Sequence, residues 1–420
     1  MTNSKVSTDS SHLMHRENGS GRIVKFGDVV RDVNESEKNP TGAGLWRYVG
    51  LEHMEPENLR ITEWGDLTTD EVSFTKRFRA GQVLFGKRRA YQRKVAVADF
   101  DGICSSDILA FEPKNNDLVP ELLPFIVQSE RFFEHALGTS SGSLSPRTRW
   151  SQLRDFQFRL PSNKEQQRIA KLLLAASNCR NAYIDAIHQI EATRKLAMIK
   201  SFAPISGDPS SEEIQRVQLP SGWSLAEAKS LSIAPVTKGE TPRGKLSPDI
   251  GDIPFIKIYN LSFEGILDFS IKPTFVSLDA HMGALKRSQV LPGDLLMNLV
   301  GPPLGKIGLV TGEYSEWNIN QAIARYRPSN ALVGKYLWFY LQSAWAQRWL
   351  HRRSKKTSGQ RNLTLKLAQE LPIPVADDDA MLLIVERLES IDHAKIHLNN
   401  TLSHVQRVQN ALSHKFFGKN

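Results

Sequence analysis

Apolar residues recur every three or four positions along residues 162–203, a stretch that contains neither Gly nor Pro. The stretch lies between Pro161 and Pro204, and Ser162 with Glu165 three residues later is typical of the capping box at a helix start. The repeat has the seven-residue period of a coiled-coil seam, so it predicts a long helix packed along a partner helix. The predicted seam positions are Ile169, Leu172, Ala176, Cys179, Tyr183 and Ile190.

The same pattern returns near the end of the chain, between Pro374 and Gly418. Asp377 has the short acceptor side chain of an N-cap, and Gly418 is typical of a helix end. Either pattern alone also fits an ordinary amphipathic helix on a globular core, but two in one frame predict that the helices pair with each other. The predicted seam positions of the second helix are Ile384, Ile391, Leu398, Val405 and Leu412.

The segments between the predicted helices also repeat, with an offset of 212 to 214 residues. The order is therefore globular unit, helix, globular unit, helix, which indicates a single internal duplication. The aligned segments are Arg79–Phe85 with Leu291–Met297, Ile108–Phe111 with Ala322–Arg325, and Leu118–Ser129 with Leu332–Ser343.

Each globular unit has an α+β pattern, with short apolar runs bounded by Gly, Pro and Asp. One helix of roughly twenty residues is predicted to close each unit, near 118–137 and 332–350. The predicted strands are Gln82–Gly86, Lys94–Ala98, Ser106–Phe111, Ile253–Ile258, Asp294–Leu299, Ile307–Thr311 and Ala322–Tyr326. The predicted divisions are a disordered tail at 1–21, a globular unit at 22–160, a helix at 161–203, a linker at 204–216, a globular unit at 217–373 and a helix at 374–417.

The connectivity constrains how these parts are arranged. A helix from Lys164 to Lys200 is about 55 Å long. If the second helix returns antiparallel along the first, the two units become a pseudo-two-fold pair held a fixed distance apart. On DNA, such a pair of readers selects two half-sites separated by a fixed gap.

Composition agrees with a nucleic-acid partner and with a reducing compartment. The 420 residues suggest two or three domains, and the net charge of +9 with a pI near 9.4 favours a polyanion. Cys104 and Cys179 are far apart and have neither zinc nor redox spacing. No apolar run approaches the ~18 residues of a membrane span, and the polar start lacks a secretory h-region. We therefore expect a cytoplasmic protein that has no membrane partner.

Basic residues cluster in loops of both halves, where they suit phosphate neutralisation and the reading of base edges. A solvated basic loop is the alternative for any one cluster, but clusters in both halves favour DNA. The candidates in the first half are Lys87, Arg88, Arg89, Tyr91, Arg93, Lys94, Arg147 and Arg149. Those in the second half are Lys238, Arg243, Lys245, Arg352, Arg353, Lys355, Lys356 and Arg361.

No motif predicts catalysis or a metal site. Residues 239–245 fit the start of a P-loop, but Leu246 follows where Ser or Thr would bind magnesium. The sequence contains no H-E-x-x-H, no paired cysteine motif and no methyltransferase tetrapeptide. We therefore predict no catalytic residue, no metal ligand and no cofactor in this chain.

Several segments resemble the specificity (S) subunit of type I restriction–modification systems, a phage-defence family. They are Arg47–His53, Phe85–Tyr91, Lys238–Pro242, Gly251–Lys257 and the helix start Leu160–Ala170. The resemblance covers about residues 22–417 and implies that 22–160 and 217–373 are target recognition domains. Val375–Ala380 departs from the Glu-Gln box that the family has at the start of the second helix.

The resemblance implies a non-catalytic subunit that reads one half of a bipartite double-stranded DNA target with each domain. It implies that the helices set the gap and dock two methyltransferase (M) subunits, with restriction (R) subunits joining this core. S-adenosylmethionine, ATP and magnesium would then be held by the partner subunits. A coiled-coil interaction scaffold with incidental basic loops is the alternative hypothesis, and a nuclease with an unrecognised site is a third.

Overall fold

A computed structural model describes residues 21–202, 219–242, 246–248, 250–357 and 359–418. The chain divides into two compact units: the first takes in the chain up to Asp185 and again from Asn399, and the second runs from Ala186 to Leu398. The two long helices, Asn163–Phe202 and Asp378–Phe417, each contribute residues to both units. The predicted tail before Gly21 and the predicted linker 204–216 lie outside the described residues.

The first unit contains three small sheets and short helices. A two-stranded sheet joins Gly21–Lys25 to Gln157–Pro161. The four-stranded sheet has the order Val30–Asp32, Ile108–Pro113, Val83–Gly86, Val95–Val97. The five-stranded sheet has the order Glu35–Ser36, Lys76–Phe78, Gly102–Cys104, Arg47–Val49, Gly65–Asp66. The helices are Phe26–Val29, Leu123–Val127, Glu130–Gly138 and Trp150–Leu153.

The second unit repeats this plan. Its two-stranded sheet joins Ser224–Glu227 to Pro372–Val375. Its four-stranded sheet has the order Thr237–Lys238, Ile323–Tyr326, Leu295–Asn298, Ile307–Leu309. Its five-stranded sheet has the order Ser247–Pro248, Thr274–Val276, Ile253–Ile256, Trp317–Ile319, Gln289–Val290. A fourth sheet has three strands, in the order Val300–Gly301, Gln360–Asn362, Lys355–Thr357. The helices are Leu278–Met282, Ala331–Gln342, Ala344–Arg353 and Leu365–Gln369.

The strand registers of the two four-stranded sheets match residue by residue. Gly86 pairs with Ile108, and at the matching place Asn298 pairs with Ile323. Ile108 therefore corresponds to Ile323, one residue later than the Ala322 of the sequence alignment. The shift arises because pairing with the neighbouring buried strand sets the register. The extra residue of the second unit therefore lies in the loop before the strand.

Aromatic side chains fill the two main cores. In the first unit the ring of Phe85 packs 5.9 Å from that of Phe111. In the second unit the hydroxyls of Tyr336 and Tyr340 are buried and donate to backbone carbonyls of the strand Pro372–Val375, at 2.6 and 2.5 Å. Buried hydroxyls need such partners, so these bonds fix the strand that leads into the second long helix.

The single closing helix predicted for each unit is in fact two consecutive helices. The break falls at Ser129 in the first unit and at Ser343 in the second. Each serine is an N-cap: its Oγ accepts the backbone N–H of Phe132 at 3.3 Å or of Ala346 at 3.2 Å. A serine that caps a new helix turn ends the preceding one, and the apolar periodicity continues across the break and conceals it.

The first long helix begins one residue after its predicted cap. Ser162 Oγ accepts the backbone N–H of Glu165 at 3.4 Å, which is one half of the predicted capping box. The Glu165 carboxylate instead binds Arg168, at 2.7 and 2.5 Å. This helix therefore starts with one capping bond and an i,i+3 ion pair.

The buried face of the first long helix differs from the predicted seam. Ile169 is buried and Ala176, Tyr183 and Ile190 are half-buried, but Leu172 is 40% exposed and Cys179 is exposed. In the first unit the buried positions are Gln166, Ile169, Ala170, Leu173, Ser177 and Asn181. The row from Gln166 through Ala170, Leu173 and Ser177 to Asn181 advances by 3.75 residues per step on average, more than the 3.5 of a heptad, so the buried stripe turns away from Leu172 and Cys179.

The second long helix keeps a seven-residue period. The predicted seam positions are all half-buried, and a second row lies four residues after them rather than three. This row includes Met381, Leu388 and Gln409, which are buried. Asp377 is the N-cap as predicted, because its Oδ1 accepts the backbone N–H of Ala380 at 2.8 Å.

Within the second unit the two long helices contact each other. Arg194 binds Asp392 through its Nε at 2.5 Å and its Nη2 at 3.2 Å. Lys395 binds Glu191 at 2.7 Å. Because residue numbers rise along one helix as they fall along the other, these two segments run in opposite directions.

Candidate nucleic-acid interface

A buried strand leads into the basic loop of the first unit. Strand Val83–Gly86 is buried throughout, and the loop follows it directly. The backbone N–H of Lys87 donates to the carbonyl of Asp107 at 2.9 Å, and Arg88 pairs with Arg147 in an antiparallel bridge. These backbone contacts bring together two basic segments that are about sixty residues apart in the sequence.

One carboxylate lies beneath the arginines of this cluster. Asp107 Oδ1 accepts from Arg147 Nε at 2.8 Å, and Asp107 Oδ2 accepts from Arg147 Nη2 at 3.2 Å. Arg88 Nη1 lies 3.5 Å from the same Oδ2. The Asp107 side chain is only 16% exposed, whereas that of Arg147 is 46% exposed. The hydrogen bond from Arg147 holds the pKa of the Asp107 carboxyl below its usual value against the opposing effect of burial, so the carboxylate stays charged.

Ser145 and Pro146 of a neighbouring loop also accept hydrogen bonds from arginines of this loop. Ser145 Oγ accepts from Arg88 Nη2 at 3.2 Å and from Arg89 Nη2 at 3.4 Å. The backbone N–H of Arg89 donates to Pro146 O at 2.8 Å. Arg89 has a φ of 52°, in the left-handed region that costs a non-glycine residue about 1–3 kcal/mol. This cluster, Lys87, Arg88, Arg89 and Arg147, is called the arginine cluster below.

Arg93 lies in the same loop but is held by other protein groups. Its guanidinium binds Glu57 at 3.0 Å and Glu130 at 2.7 Å. It also lies over the ring of Phe133, 4.6 Å from the centroid. Two carboxylates neutralise this charge, so Arg93 is built into the unit rather than presented to a ligand.

Lys94 is also engaged, since its Nζ donates to Leu51 O at 2.6 Å. Tyr91 is 55% exposed on the turn between the two left-handed arginines. Arg149 is exposed at the start of the helix Trp150–Leu153, two residues from the arginine cluster. Tyr91 and Arg149 therefore remain accessible to a large ligand, whereas Lys94 supports the loop.

In the second unit the basic residues lie on a hairpin. Strands Lys355–Thr357 and Gln360–Asn362 pair, with Lys356 opposite Arg361. Arg361 also pairs with Gly301 of the third strand, one residue along the ladder from the Val300–Asn362 pair that matches the Arg88–Arg147 bridge of the first unit. The two units therefore present basic side chains on equivalent backbone ladders.

The hairpin is fastened to the helix that precedes it. Arg361 Nη1 donates to His351 O at 2.8 Å and to Ser354 Oγ at 3.2 Å. Arg352 and Arg353 end that helix, where positive charge is favoured by the helix dipole. A recess of about 540 Å³ opens beside the hairpin, with apolar and basic lining residues Phe263, Pro302, Pro303, Leu304, Gln347, Arg348, His351, Arg352, Lys356, Gly359 and Arg361.

The remaining basic candidates lie elsewhere. Lys238 is exposed on the edge strand Thr237–Lys238, in a different sheet from the hairpin. The next residue, Gly239, packs so closely that a Cβ would lie 2.0 Å from Ile319 O, which explains the glycine in this turn. Arg243 and Lys245 lie outside the described residues.

The sequence analysis missed Asp107 and Ser145, which organise the arginine cluster. Neither stands in a motif, and their arginine partners are up to 57 residues away. It also missed an aromatic support for Arg47, whose guanidinium lies 3.9 Å from the ring centroid of Trp46 and 4.4 Å from that of Trp64. Such contacts depend on tertiary pairing and have no local sequence signal.

The described part of the chain contains no group of three or more His, Cys, Asp or Glu side chains suited to a metal ion. Burial raises the pKa of the Cys104 thiol to about 12. Within the described ranges, no helix combines the length and apolarity that a membrane crossing requires.

Comparison with known proteins finds similarity to the family that the sequence resembles. Residues 57–192 match the type I restriction modification DNA specificity domain. Over 180 residues the chain is 23% identical to the type I restriction enzyme EcoDI specificity subunit of Escherichia coli. Residues 57–192 therefore resemble the DNA specificity domain of type I restriction–modification systems. The resemblance found in the sequence is therefore confirmed, and the family is a DNA-recognition component of these systems.

The EcoDI match covers 42% of this chain and spans only 40% of the length of that relative. Two solved structures extend the fold likeness to nearly the whole chain. One comes from work on complex assembly and conformational transition of the type I R-M system, with 20% identity, a TM-score of 0.57 and coverage of 94% of this chain and 97% of that one. The other is the type I S subunit from M. genitalium, with 16% identity, a TM-score of 0.58 and coverage of 97% and 99%.

Proposed function

We propose that this chain is the non-catalytic DNA-specificity subunit of a type I restriction–modification complex and reads a bipartite target with its two globular units. The observation that carries the proposal is the repeated ladder: both units have the same sheet plan, and both present basic side chains at its equivalent edge. A protein domain that recognises a DNA sequence needs hydrogen-bond donors at fixed positions, because phosphate contacts set its register on the duplex and base contacts discriminate between sequences.

We assign the DNA contacts to residues that are both accessible and close to these ladders. They are Lys87, Arg88, Arg89, Tyr91, Arg147 and Arg149 in the first unit, and Arg352, Arg353, Lys355, Lys356 and Arg361 in the second. Arg93 and Lys94 are left out of this set because carboxylates or carbonyls already hold their charges.

We further propose that the two long helices pair as an antiparallel coiled coil, which sets the gap between the half-sites. The ion pairs of Arg194 with Asp392 and of Lys395 with Glu191 support this direction of pairing. In this proposal the helices dock two M subunits, R subunits join the core, and the complex acts in the cytoplasm. S-adenosylmethionine, ATP and magnesium are held by those partners.

The first experiment maps methyl-adenine in genomic DNA from cells with and without this gene, with the M subunit present in both. We expect a two-part motif with a fixed gap to lose its methylation when the gene is absent. An unchanged methylation pattern together with intact M-subunit binding would instead favour the interaction scaffold.

A second experiment locates the contacts on a complex reconstituted with M subunits. Arg88→Ala/Arg89→Ala and Arg352→Ala/Arg353→Ala should weaken DNA binding, and the slope of log affinity against log salt should fall by about 0.9 for each phosphate that the variant no longer neutralises. Arg22→Ala/Arg159→Ala removes the same charge from the exposed two-stranded sheet and serves as the control. Equal effects of the control and the test variants would refute the assigned contacts.

A further inference from the structure

The sheet does not need the carboxylate of Asp107 in order to form, as the second unit shows. The backbone bond from Lys87 N to Asp107 O, at 2.9 Å, recurs in the second unit as Leu299 N to Ala322 O, at 2.7 Å. Ala322 therefore occupies the position of Asp107. The fold accommodates a methyl group where the first unit has a carboxylate.

The partners of Asp107 change in the same way. Arg88 pairs with Arg147 in the first unit, and at the matching bridge Val300 pairs with Asn362. The three charged residues of the first unit thus correspond to an apolar pair and an amide. Because the same ladder forms without these charges, their presence in the first unit calls for a reason other than folding.

We propose that Asp107 is a positioning residue that fixes the guanidinium groups of Arg88 and Arg147 for reading DNA, an inference that rests on the proposed function. The contact with Asp107 uses the Nε proton and one Nη2 proton of Arg147, and Nη1 lies 3.5 Å from Ser145 O. The Nη1–Nη2 edge of the guanidinium still has one proton on each nitrogen for a further acceptor. That edge matches a pair of acceptors on DNA, either O6 and N7 of a guanine or two phosphate oxygens.

Whether removal of the Asp107 charge strengthens or weakens DNA binding distinguishes a positioning role from a purely electrostatic one. Asp107 places a negative charge next to a surface that meets a polyanion, so charge alone predicts that removing it tightens DNA binding. Positioning predicts the reverse for the cognate target, because a guanidinium without its carboxylate samples many orientations. Non-specific binding needs no fixed orientation, so it should stay unchanged or become tighter.

The test uses the complex with M subunits and measures the dissociation constant for the methylated motif and for an unrelated duplex. Asp107→Asn should weaken cognate binding by about tenfold, the lower end of what one bidentate base contact supplies. Asp155→Asn makes the same charge change in the same unit, at a carboxylate paired with Lys25, and should leave cognate affinity within about twofold.

Two further variants keep the inference testable if Asp107→Asn disturbs folding. Asp107→Ala introduces the side chain already found at Ala322, and Arg147→Lys keeps both charges but removes the bidentate bond. Each should lower cognate affinity in the same direction as Asp107→Asn, while M-subunit assembly is retained. Combining Asp107→Asn with Arg147→Lys should weaken binding by less than the sum of the two single effects, because both changes disturb the contact of Arg147, while only Asp107→Asn also removes the carboxylate beside Arg88.

A panel of single base changes then distinguishes the two DNA acceptors. Loss of discrimination at one base pair of a single half-site indicates a guanine, and a uniform loss across sequences indicates phosphates. Cognate binding by Asp107→Asn that equals or exceeds that of the wild type would overturn the inference. If the wild-type complex itself discriminates no duplex, the proposed function fails instead.

Discussion

The contact between the two long helices in the second unit can be tested by the ion pair of Arg194 and Asp392. The two guanidinium nitrogens lie 2.5 and 3.2 Å from the carboxylate oxygens, and Arg194 Nη2 also donates to Gln342 Oε1 at 2.8 Å. Each side chain of the pair is 23% exposed. We therefore expect a measurable coupling between the two residues.

The magnitude follows from this partial burial. Two opposite charges about 4 Å apart attract by roughly 4 kcal/mol at an effective dielectric constant of about 20, and by roughly 1 kcal/mol in water. Desolvation of the pair offsets part of the larger value. We expect a coupling free energy of about 2 kcal/mol between Arg194 and Asp392.

A double-mutant cycle with Arg194→Gln, Asp392→Asn and the double variant measures this coupling. Urea unfolding gives the free energies, and hydrogen exchange in residues 186–202 and 378–398 reports on the helices themselves. The pair of Glu191 and Lys395 is the matched control, because its side chains are more exposed and should couple by only about 0.5 kcal/mol.

A coupling of Arg194 with Asp392 that is indistinguishable from zero would refute this helix register. A coupling equal to that of the exposed control would refute the argument from burial. The charge-swapped variant Arg194→Asp/Asp392→Arg adds a check, since it should recover stability relative to either single reversal only if the two side chains face each other.

Other predictions concern packing, acid stability and thiol reactivity. Leu173→Ala should lower the free energy of unfolding, measured by urea denaturation, by about 2–5 kcal/mol, whereas the exposed Leu172→Ala should lower it by well under about 1 kcal/mol. Equal losses would mean that Leu172 is buried as well, as the heptad pattern predicts. The hydrogen bond from Arg147 lowers the pKa of Asp107 in the folded protein. The ionised Asp107 therefore stabilises the fold at pH values above its unfolded pKa of about 3.9, and this stabilisation is lost as the pH falls through its lower folded pKa. Wild-type stability should therefore drop more steeply than that of Asp107→Asn below about pH 4. Alkylation at neutral pH should spare buried Cys104 in the native protein and reach it after denaturation, as peptide mapping would show.

The parts of the fold that the sequence predicted correctly have local causes. Asp377 caps the second long helix because an acceptor side chain stands just before the helical periodicity. Strand Val83–Gly86 matches its predicted bounds within one residue, because a buried apolar run between turn residues leaves few alternatives. The duplication was visible for the same reason, since both copies keep these local patterns.

The parts that the sequence did not predict depend on contacts between distant residues. Leu172 and Leu173 are adjacent leucines, and only the packing of the helix decides which one is buried. Arg93 and Arg147 are both arginines in basic segments, yet Arg93 is bound by Glu57 and Glu130, whereas Arg147 is bound by Asp107 and is 46% exposed. Basic charge in the sequence therefore does not distinguish an arginine held by two carboxylates from one that stays half exposed, and it gives no sign of the carboxylate that binds Arg147.

The matched ladders carry different side chains, which constrains the target itself. A two-fold pair of identical readers would select an inverted repeat. Here Asp107 and Arg147 correspond to Ala322 and Asn362, and the second unit holds its hairpin arginine, Arg361, by a backbone carbonyl and a serine. Different donors in different orientations read different bases, so we expect the two halves of the methylated motif not to be inverted repeats of each other. A palindromic motif in the methyl-adenine map would contradict this expectation and would mean that base readout comes from residues the two units share.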